Sequence, residues 1–426
     1  MEHLDINQAI AYLTHGDWHN SRLGLDRMRE LLARLDNPQD ELCYVHVAGT
    51  NGKGSICIMA ASVLVAAGYK VGLYTSPYIN RFNERIQING SPISDEALVA
   101  FTERVKKEAD EMADHPTEFE LITAIAFLYY FEAGCDIVVL EVGMGGRLDA
   151  TNIIGSPDVA VISPVNLDHT KELGDTVEKI AVEKAGIIKA GCHVVSSPQL
   201  PGVAKVLREI STARGASIEQ IDSRDVVITS NTLDGIRFDY KDIEGLELQL
   251  LGDYQPQNTA VVISIMYVLR SYGWNINQDA IRSGLKSARW PARFEILQRK
   301  PWFIVDGGHN PQCVEKLVDN LLAYFPNKKV SFITGVMADK DFETMFAKIV
   351  PLAKRIFTVT PDNPRALSSE DLAAYFCARG VTDVIPCNSV EQGVSKALRL
   401  EEADGLICAF GSFYMAGSIR RMLGLG

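Results

Sequence analysis

Two rhythms of apolar and polar positions alternate along the chain. Apolar, β-branched runs at Cys43–Ala48, Val71–Thr75, Ile137–Val142, Asp158–Val165 and His193–Ser197 read as strands. Two of them, DIVVLEV and DVAVIS, lack polar alternation, as expected of strands covered on both faces. Between them, residues 54–67, 94–112, 118–132 and 176–188 carry helical patterns. Such alternation predicts a parallel α/β sheet. The rhythm changes over residues 218–252, where DVVITSN, GIRFDY and LELQL predict antiparallel hairpins appended to the first domain. Helices follow over residues 256–272 and on to Leu285. The segment Lys286–Leu297 has little periodicity and holds Pro291, which predicts a boundary between domains at 1–290 and 296–426. A second α/β series follows, with strands at Trp302–Asp306, Val330–Thr334, Ile356–Thr360, Asp383–Pro386 and Gly405–Ala409.

Length and charge narrow the class. A chain of 426 residues fits two domains. A net charge of −12 argues against a general nucleic-acid or membrane-surface binder. A few local Lys and Arg still suffice for anionic small molecules. The eight cysteines are scattered, with no C-x-x-C pair, and mostly sit in apolar runs. They read as buried reduced thiols rather than a disulfide framework or a zinc site. The segment MEHLDINQAI is unlike a signal peptide, and no apolar run approaches the roughly 20 residues of a membrane span. The expectation is a cytoplasmic monomer acting on small molecules, with no nucleic-acid or membrane partner.

The most informative string is CYVHVAGTNGKGSICIMAASVLVAAG, an apolar strand, a glycine-rich turn and a helix. Gly49, Thr50, Asn51, Gly52 and Gly54 let backbone N–H groups converge on phosphate oxygens at a helix N-terminus. Lys53 is placed to reach the β- and γ-phosphates of ATP, and Ser55 to ligate Mg²⁺. The common phosphate-loop pattern G-x-x-x-x-G-K-[ST] fails twice, because Val47 replaces its first glycine and Gly54 follows the lysine.

Other candidates lie just past predicted strand ends, where open parallel sheets place ligands. Glu141 ends a buried strand, and a carboxylate there needs a partner or a metal. Ser76 follows the strand at Val71–Thr75, with Arg81 and Arg85 beyond it. Asp168 and His169 follow another. Lys184, on a helix beside Glu183, reads by itself as a solvated lysine. Arg293 suits a phosphate and Asp306 ribose hydroxyls, with His309 a contact across a cleft.

GTNGKGS resembles the phosphate loop of the ATP-dependent Mur ligase superfamily, and its Lys-Gly-Ser ending is most similar to the folylpolyglutamate synthase/dihydrofolate synthase branch. LYTSPYINRFNERIQING, VVLEVGMGGRLDATN, SPVNLDHTKELGDTVEKIAVEKAGIIK, GDYQPQNTA, RWPARFEIL and FIVDGGHNPQ resemble that branch's other motifs, in its order. Departures are Tyr254 where His is commoner, Ala292 where Gly is usual, and Gly308 where Ala is frequent. The resemblance implies a P-loop Mur-ligase-like central domain with a parallel sheet plus a smaller Rossmann-like C-terminal α/β domain. It implies ligation of L-glutamate to tetrahydrofolate or folyl polyglutamates, and optionally to dihydropteroate, through an acyl phosphate. It places Ser55, Ser76 and Glu141 on one Mg²⁺ and His169 with a carbamylated Lys184 on a second, and makes Lys53, His169 and Lys184 the catalytic set. Asn258, Arg293, Asp306 and His309 would join the loop in binding ATP. Arg85, Thr117, Phe119, Asp149 and Ser412 would lie on the folate and glutamate side. Two alternatives stay open: another amino-acid ligase of the superfamily, and a non-catalytic P-loop ATP-binding regulator. The first usually has an extra N-terminal domain, for which the roughly 45 residues before the loop leave no room. The second would not explain nucleotide-contact motifs in a second domain.

Overall fold

The computed structural model describes residues 3–14 and 24–425. Among them, eight strands form the first sheet: β1 (Tyr44–Ala48), β2 (Val71–Tyr74), β3 (Ile86–Ile88), β4 (Ser91–Pro92), β5 (Ile137–Glu141), β6 (Val159–Ile162), β7 (His193–Ser196) and β8 (Ser217–Gln220). Their order is β4-β3-β2-β5-β1-β6-β7-β8, parallel from β2 to β8 and antiparallel at the β3 and β4 edge. Every residue of β1, β2, β5 and β6 is buried, as their unbroken apolar runs predict. Alternate residues feed two cores. Ile137 and Val139 face one packed by the Lys53–Ala66 helix, while Val138 and Leu140 face another packed by the Glu118–Ala133 helix.

β9 (Val226–Thr232), β10 (Gly235–Tyr240) and β11 (Ile243–Leu248) form an antiparallel sheet, as expected within residues 218–252, but residues 218–220 belong to β8, a parallel strand of the first sheet. The antiparallel sheet packs on the Gln255–Ser271 helix, where Tyr240 Oη meets Ser264 Oγ at 3.3 Å. The third sheet comprises β12 (Glu295–Arg299), β13 (Trp302–Val305), β14 (Val330–Thr334), β15 (Ala353–Thr358), β16 (Val384–Pro386) and β17 (Leu406–Phe410). Its order is β12-β13-β17-β14-β15-β16, parallel except for β12.

Several local expectations are corrected. β3 and β4 do not stand out in the sequence, because three and two residues are too short to show a period. β12 starts inside the supposedly irregular segment 286–297 and is half-buried, so its apolar contrast is weak. The helix expected over residues 176–188 ends at Lys184, and a 3₁₀ turn over Ala185–Ile187 follows. All eight cysteines are free thiols, but Cys43 and Cys377 are exposed rather than buried. Among the described residues, no helix is long and apolar enough to cross a membrane.

Ala292 and Phe294 hold left-handed backbone, with φ of 55° and 43°. An Ala there costs about 1–2 kcal/mol, and glycine escapes this at an entropic cost of about 0.5–1 kcal/mol. Ala292→Gly is therefore expected to raise stability by about 0.5–1 kcal/mol, read as a higher urea midpoint. An unchanged or lower midpoint would show that the segment relaxes without strain.

Candidate active site

The turn after β1 carries Gly49 at φ 147° and Gly52 at φ 89°, and opens directly into the Lys53–Ala66 helix. A Cβ on Gly49 would overlap Ser163 Oγ, and one on Gly52 would lie 3.0 Å from Asn258 Oδ1. The turn is fastened to the one after β6. Thr50 N–H donates to Pro164 O at 2.9 Å, and Thr50 Oγ1 both donates to Asn166 O and accepts from Asn166 N–H at 3.0 Å. Lys53 Nζ rests on Thr50 O at 3.3 Å. Ser55 Oγ is buried and accepts from Gln255 Nε2 at 3.3 Å. The glycine that follows the lysine has a steric reason: a Cβ at Gly54 would stand 2.9 Å from the Trp290 ring.

Glu141 ends β5 with 4% exposure. It accepts from Ser76 N–H at 3.2 Å. Burial raises its carboxyl pKa, opposed first by Lys53 and then by that hydrogen bond. A buried carboxylate beside the Ser55 and Ser76 hydroxyls fits a hard cation. Past β6, burial would raise the Asp168 carboxyl, but Lys340 at 3.1 Å, with His169 and His309, holds it at about 2. His169, at φ 49°, has its pKa lowered mainly by burial, which keeps the imidazole neutral and able to ligate. Lys184 is 5% exposed and donates from Nζ to Gly49 O at 2.7 Å. Burial, then the nearby Lys53 charge, lower its pKa to about 7.

The third sheet supplies the opposite wall. Asp306, past the end of β13, accepts from Phe294 N–H at 2.8 Å and Gly308 N–H at 2.7 Å. Burial raises its carboxyl pKa, and Arg293 opposes the rise. The Arg293 guanidinium lies 4.6 Å from the Phe413 ring centroid. His309 Nδ1 pairs with Gly307 O at 2.9 Å, and burial drives this imidazole down to about 4. Asn310 Nδ2 donates to Asn51 Oδ1 at 3.0 Å, joining the third sheet directly to the glycine-rich turn. Its Oδ1 caps the Pro311–Tyr324 helix through Cys313 N–H at 2.9 Å.

One cleft of about 470 Å³ collects these groups. Gly49, Thr50, Asn51, Gly52, Lys53, Gly54, Ser55, Ser76, Glu141, His169, Lys184, Asn258, Arg293, Asp306 and His309 all line it. Five expected positions do not. Arg85 pairs with Glu118 at 3.5 Å and lies over the Tyr78 and Phe82 rings. Thr117 and Glu120 form a capping box for the Glu118–Ala133 helix. The Phe119 ring packs 5.9 Å from that of Tyr74. Asp149 accepts from Met144 N–H at 2.9 Å and Thr151 N–H at 3.0 Å, so it shapes the glycine-rich turn after β5. Ser412 caps the Phe413–Met422 helix. Sequence reasoning did not find Gln255, Asn310, Phe413 or the Asp168–Lys340 pair. Only Asn310 left a local signal, an Asn before Pro at a helix start.

Comparison with known proteins identifies the family. The Mur ligase middle domain matches residues 47–266, and the Mur ligase glutamate ligase domain matches residues 292–413. The dihydrofolate synthase/folylpolyglutamate synthase of Bacillus subtilis (strain 168) is 35% identical over 430 residues, covering 97% of this chain and 99% of that protein. Folylpolyglutamate synthase of Lacticaseibacillus casei is 38% identical over 436 residues, covering 99% of each. Among solved structures, Mycobacterium tuberculosis folylpolyglutamate synthase complexed with ADP aligns with a TM-score of 0.90 at 30% identity over 98% of each chain. A complex of a folylpolyglutamate synthase with AMPPCP and folate aligns with a TM-score of 0.86 at 35% identity, over 99% of this chain and 100% of that one. The chain therefore belongs to the Mur ligase family, in its folylpolyglutamate synthase/dihydrofolate synthase branch, and is an ATP-dependent ligase.

Proposed function

We propose that the cleft joins L-glutamate to tetrahydrofolate or a folyl polyglutamate, with ATP cleaved to ADP and phosphate. The observation that carries this reading is the meeting of Gly49–Ser55 with Arg293, Asp306 and His309 in one cleft. A carboxylate carbon is a poor electrophile. Transfer of the ATP γ-phosphoryl group to the substrate carboxylate gives an acyl phosphate, which the glutamate amine attacks with loss of phosphate. The glycine-rich turn and Lys53 hold the phosphates and offset charge on the transferring group. Arg293 reaches the phosphates from the other wall, and Asp306 accepts from the ribose. Residues 1–290 and 296–426 act as two domains that close on the substrates, excluding water from the acyl phosphate.

Ser55, Ser76 and Glu141 suit one Mg²⁺, and His169 with Lys184 a second. Bound Mg²⁺ supplies positive charge beside the phosphates and the attacked carboxylate. Lys184 suits a cation only after its neutral Nζ adds to CO₂, forming an N–C bond and losing one proton to give a carbamate. Its lowered pKa of about 7 makes that neutral amine abundant at physiological pH. The protein works on small molecules alone, as a monomer in the cytoplasm.

The test is ATP-dependent incorporation of labelled glutamate, with tetrahydrofolate and dihydropteroate in separate arms. Incorporation into the first is expected, and none into either would sink the assignment. The dihydropteroate arm decides whether the first glutamate is also added here.

The Asn310–Asn51 contact should help to hold the two walls together. Asn310→Asp keeps an oxygen to cap the helix but removes the Nδ2 donor. It is expected to leave the melting temperature near wild type and raise the KM for ATP about 3- to 10-fold, the worth of one hydrogen bond. An unchanged KM would make Asn310 a cap only.

A further inference from the structure

A second cleft lies along segment 289–299, with Arg293 the residue it shares with the catalytic cleft. It encloses about 610 Å³, within the range of roughly 300–1,000 Å³ usual for small-molecule sites. Leu250, Leu251 and Ile296 give it an apolar floor, and Arg289, Arg299 and Arg420 bring three guanidinium groups to its wall. In a chain of net charge −12 this concentration of positive charge stands out.

The guanidinium groups are only partly committed. Arg299 pairs with Asp234 at 2.7 Å, and Arg420 with Glu295. Arg289 bonds the backbone carbonyls of Lys286 at 2.8 Å and Ala288 at 2.9 Å, and among the described residues no carboxylate pairs with it.

We propose that this cleft binds an oligo-γ-glutamyl chain. Such a chain alternates carboxylates with pairs of methylenes. Guanidinium groups take carboxylates in bidentate fashion, while the apolar floor lies under the methylenes. Inorganic phosphate makes no use of the floor, and an uncharged apolar molecule makes no use of the arginines. The identity of the ligand rests on the glutamate-ligase reading above, because an enzyme that lengthens such tails meets them in its substrates and products.

The full-length protein is saturated with AMPPCP and Mg²⁺ and titrated calorimetrically with free γ-linked pentaglutamate. Inorganic phosphate serves as the comparison ligand. Arg289 and Arg299 are exposed and outside the catalytic machinery, so the double variant R289E/R299E is expected to fold, and R289A/R299A provides a milder pair. The dissociation constant for pentaglutamate should rise at least tenfold in the first and less in the second. The kcat and KM for a monoglutamyl folate should stay within twofold of wild type. Equal pentaglutamate affinity in all three proteins would overturn the proposal. So would phosphate binding as tight as pentaglutamate, or loss of monoglutamyl ligation in the variants. Failure of the ligation assay with pentaglutamate still held through Arg289 and Arg299 would remove the catalytic reading and leave the cleft standing.

Discussion

Lys53→Ala is expected to lower kcat by about 10³-fold while leaving the melting temperature within a degree or two of wild type. The two readouts separate because Lys53 does little for the fold. Among the described residues its side chain makes one hydrogen bond, to Thr50 O, and it is long at 3.3 Å. A cation at the first position of the Lys53–Ala66 helix opposes the helix dipole, so its loss costs the helix nothing. In the proposed reaction the same charge faces the transferring phosphoryl group. Removing one preorganised donor from a developing charge typically costs about 10²–10³ in rate. A second effect adds to it: Lys53 is the nearest cation depressing the Lys184 pKa. Without it Lys184 holds its proton more tightly, leaving less amine for CO₂. Turnover within tenfold of wild type at saturating ATP would take Lys53 out of the mechanism.

What the sequence revealed and what it hid divide along a physical line. The loop at Gly49–Ser55 was legible because its parts are contiguous: a buried strand, a turn needing left-handed glycines, and a helix start. Glu141, Ser76 and His169 were legible because parallel strands end on one edge, so residues just past strand ends converge. The contacts that close the cleft were not, because they join residues far apart in the chain. Asn51 and Asn310 are 259 positions apart, and Asp168 and Lys340 are 172. No periodicity encodes such a pair. Gly54 shows the same limit from the other side. It stood out as a departure from the common motif, yet its cause, the Trp290 ring against the helix start, comes from the segment before β12. Thr117 was expected on the folate side from the family resemblance, yet its Thr-x-x-Glu pattern is satisfied within its own turn.

Lys184→Met is expected to cost about 10³-fold in kcat, the range seen when one group supporting phosphoryl transfer is removed, and to regain part of that with millimolar formate or acetate. The argument starts from burial. Lys184 is 5% exposed, and its pKa falls from 10.5 to about 7. The unfolded chain therefore binds a proton that the folded chain releases across pH 7 to 10.5. Stability must rise with pH through that window, the slope being set by the extra proton on the unfolded state. Methionine has no proton to lose, so the variant's urea midpoint should be flatter over the same range. Turnover carries a separate signature. The proposed carbamate requires neutral amine, so wild-type activity should fall as pH drops below about 7, and should fall in CO₂-depleted buffer and return with bicarbonate. A small carboxylate entering the shortened site restores an anion to the cleft that His169 also lines, which a role limited to the Gly49 O hydrogen bond would not predict. If neither CO₂ nor added carboxylate changes the rate, Lys184 acts as a plain donor to the glycine-rich turn. His169 would then lack an anionic partner for a second metal ion, and orientation of the attacked carboxylate would fall to the first metal and the residues of the turn.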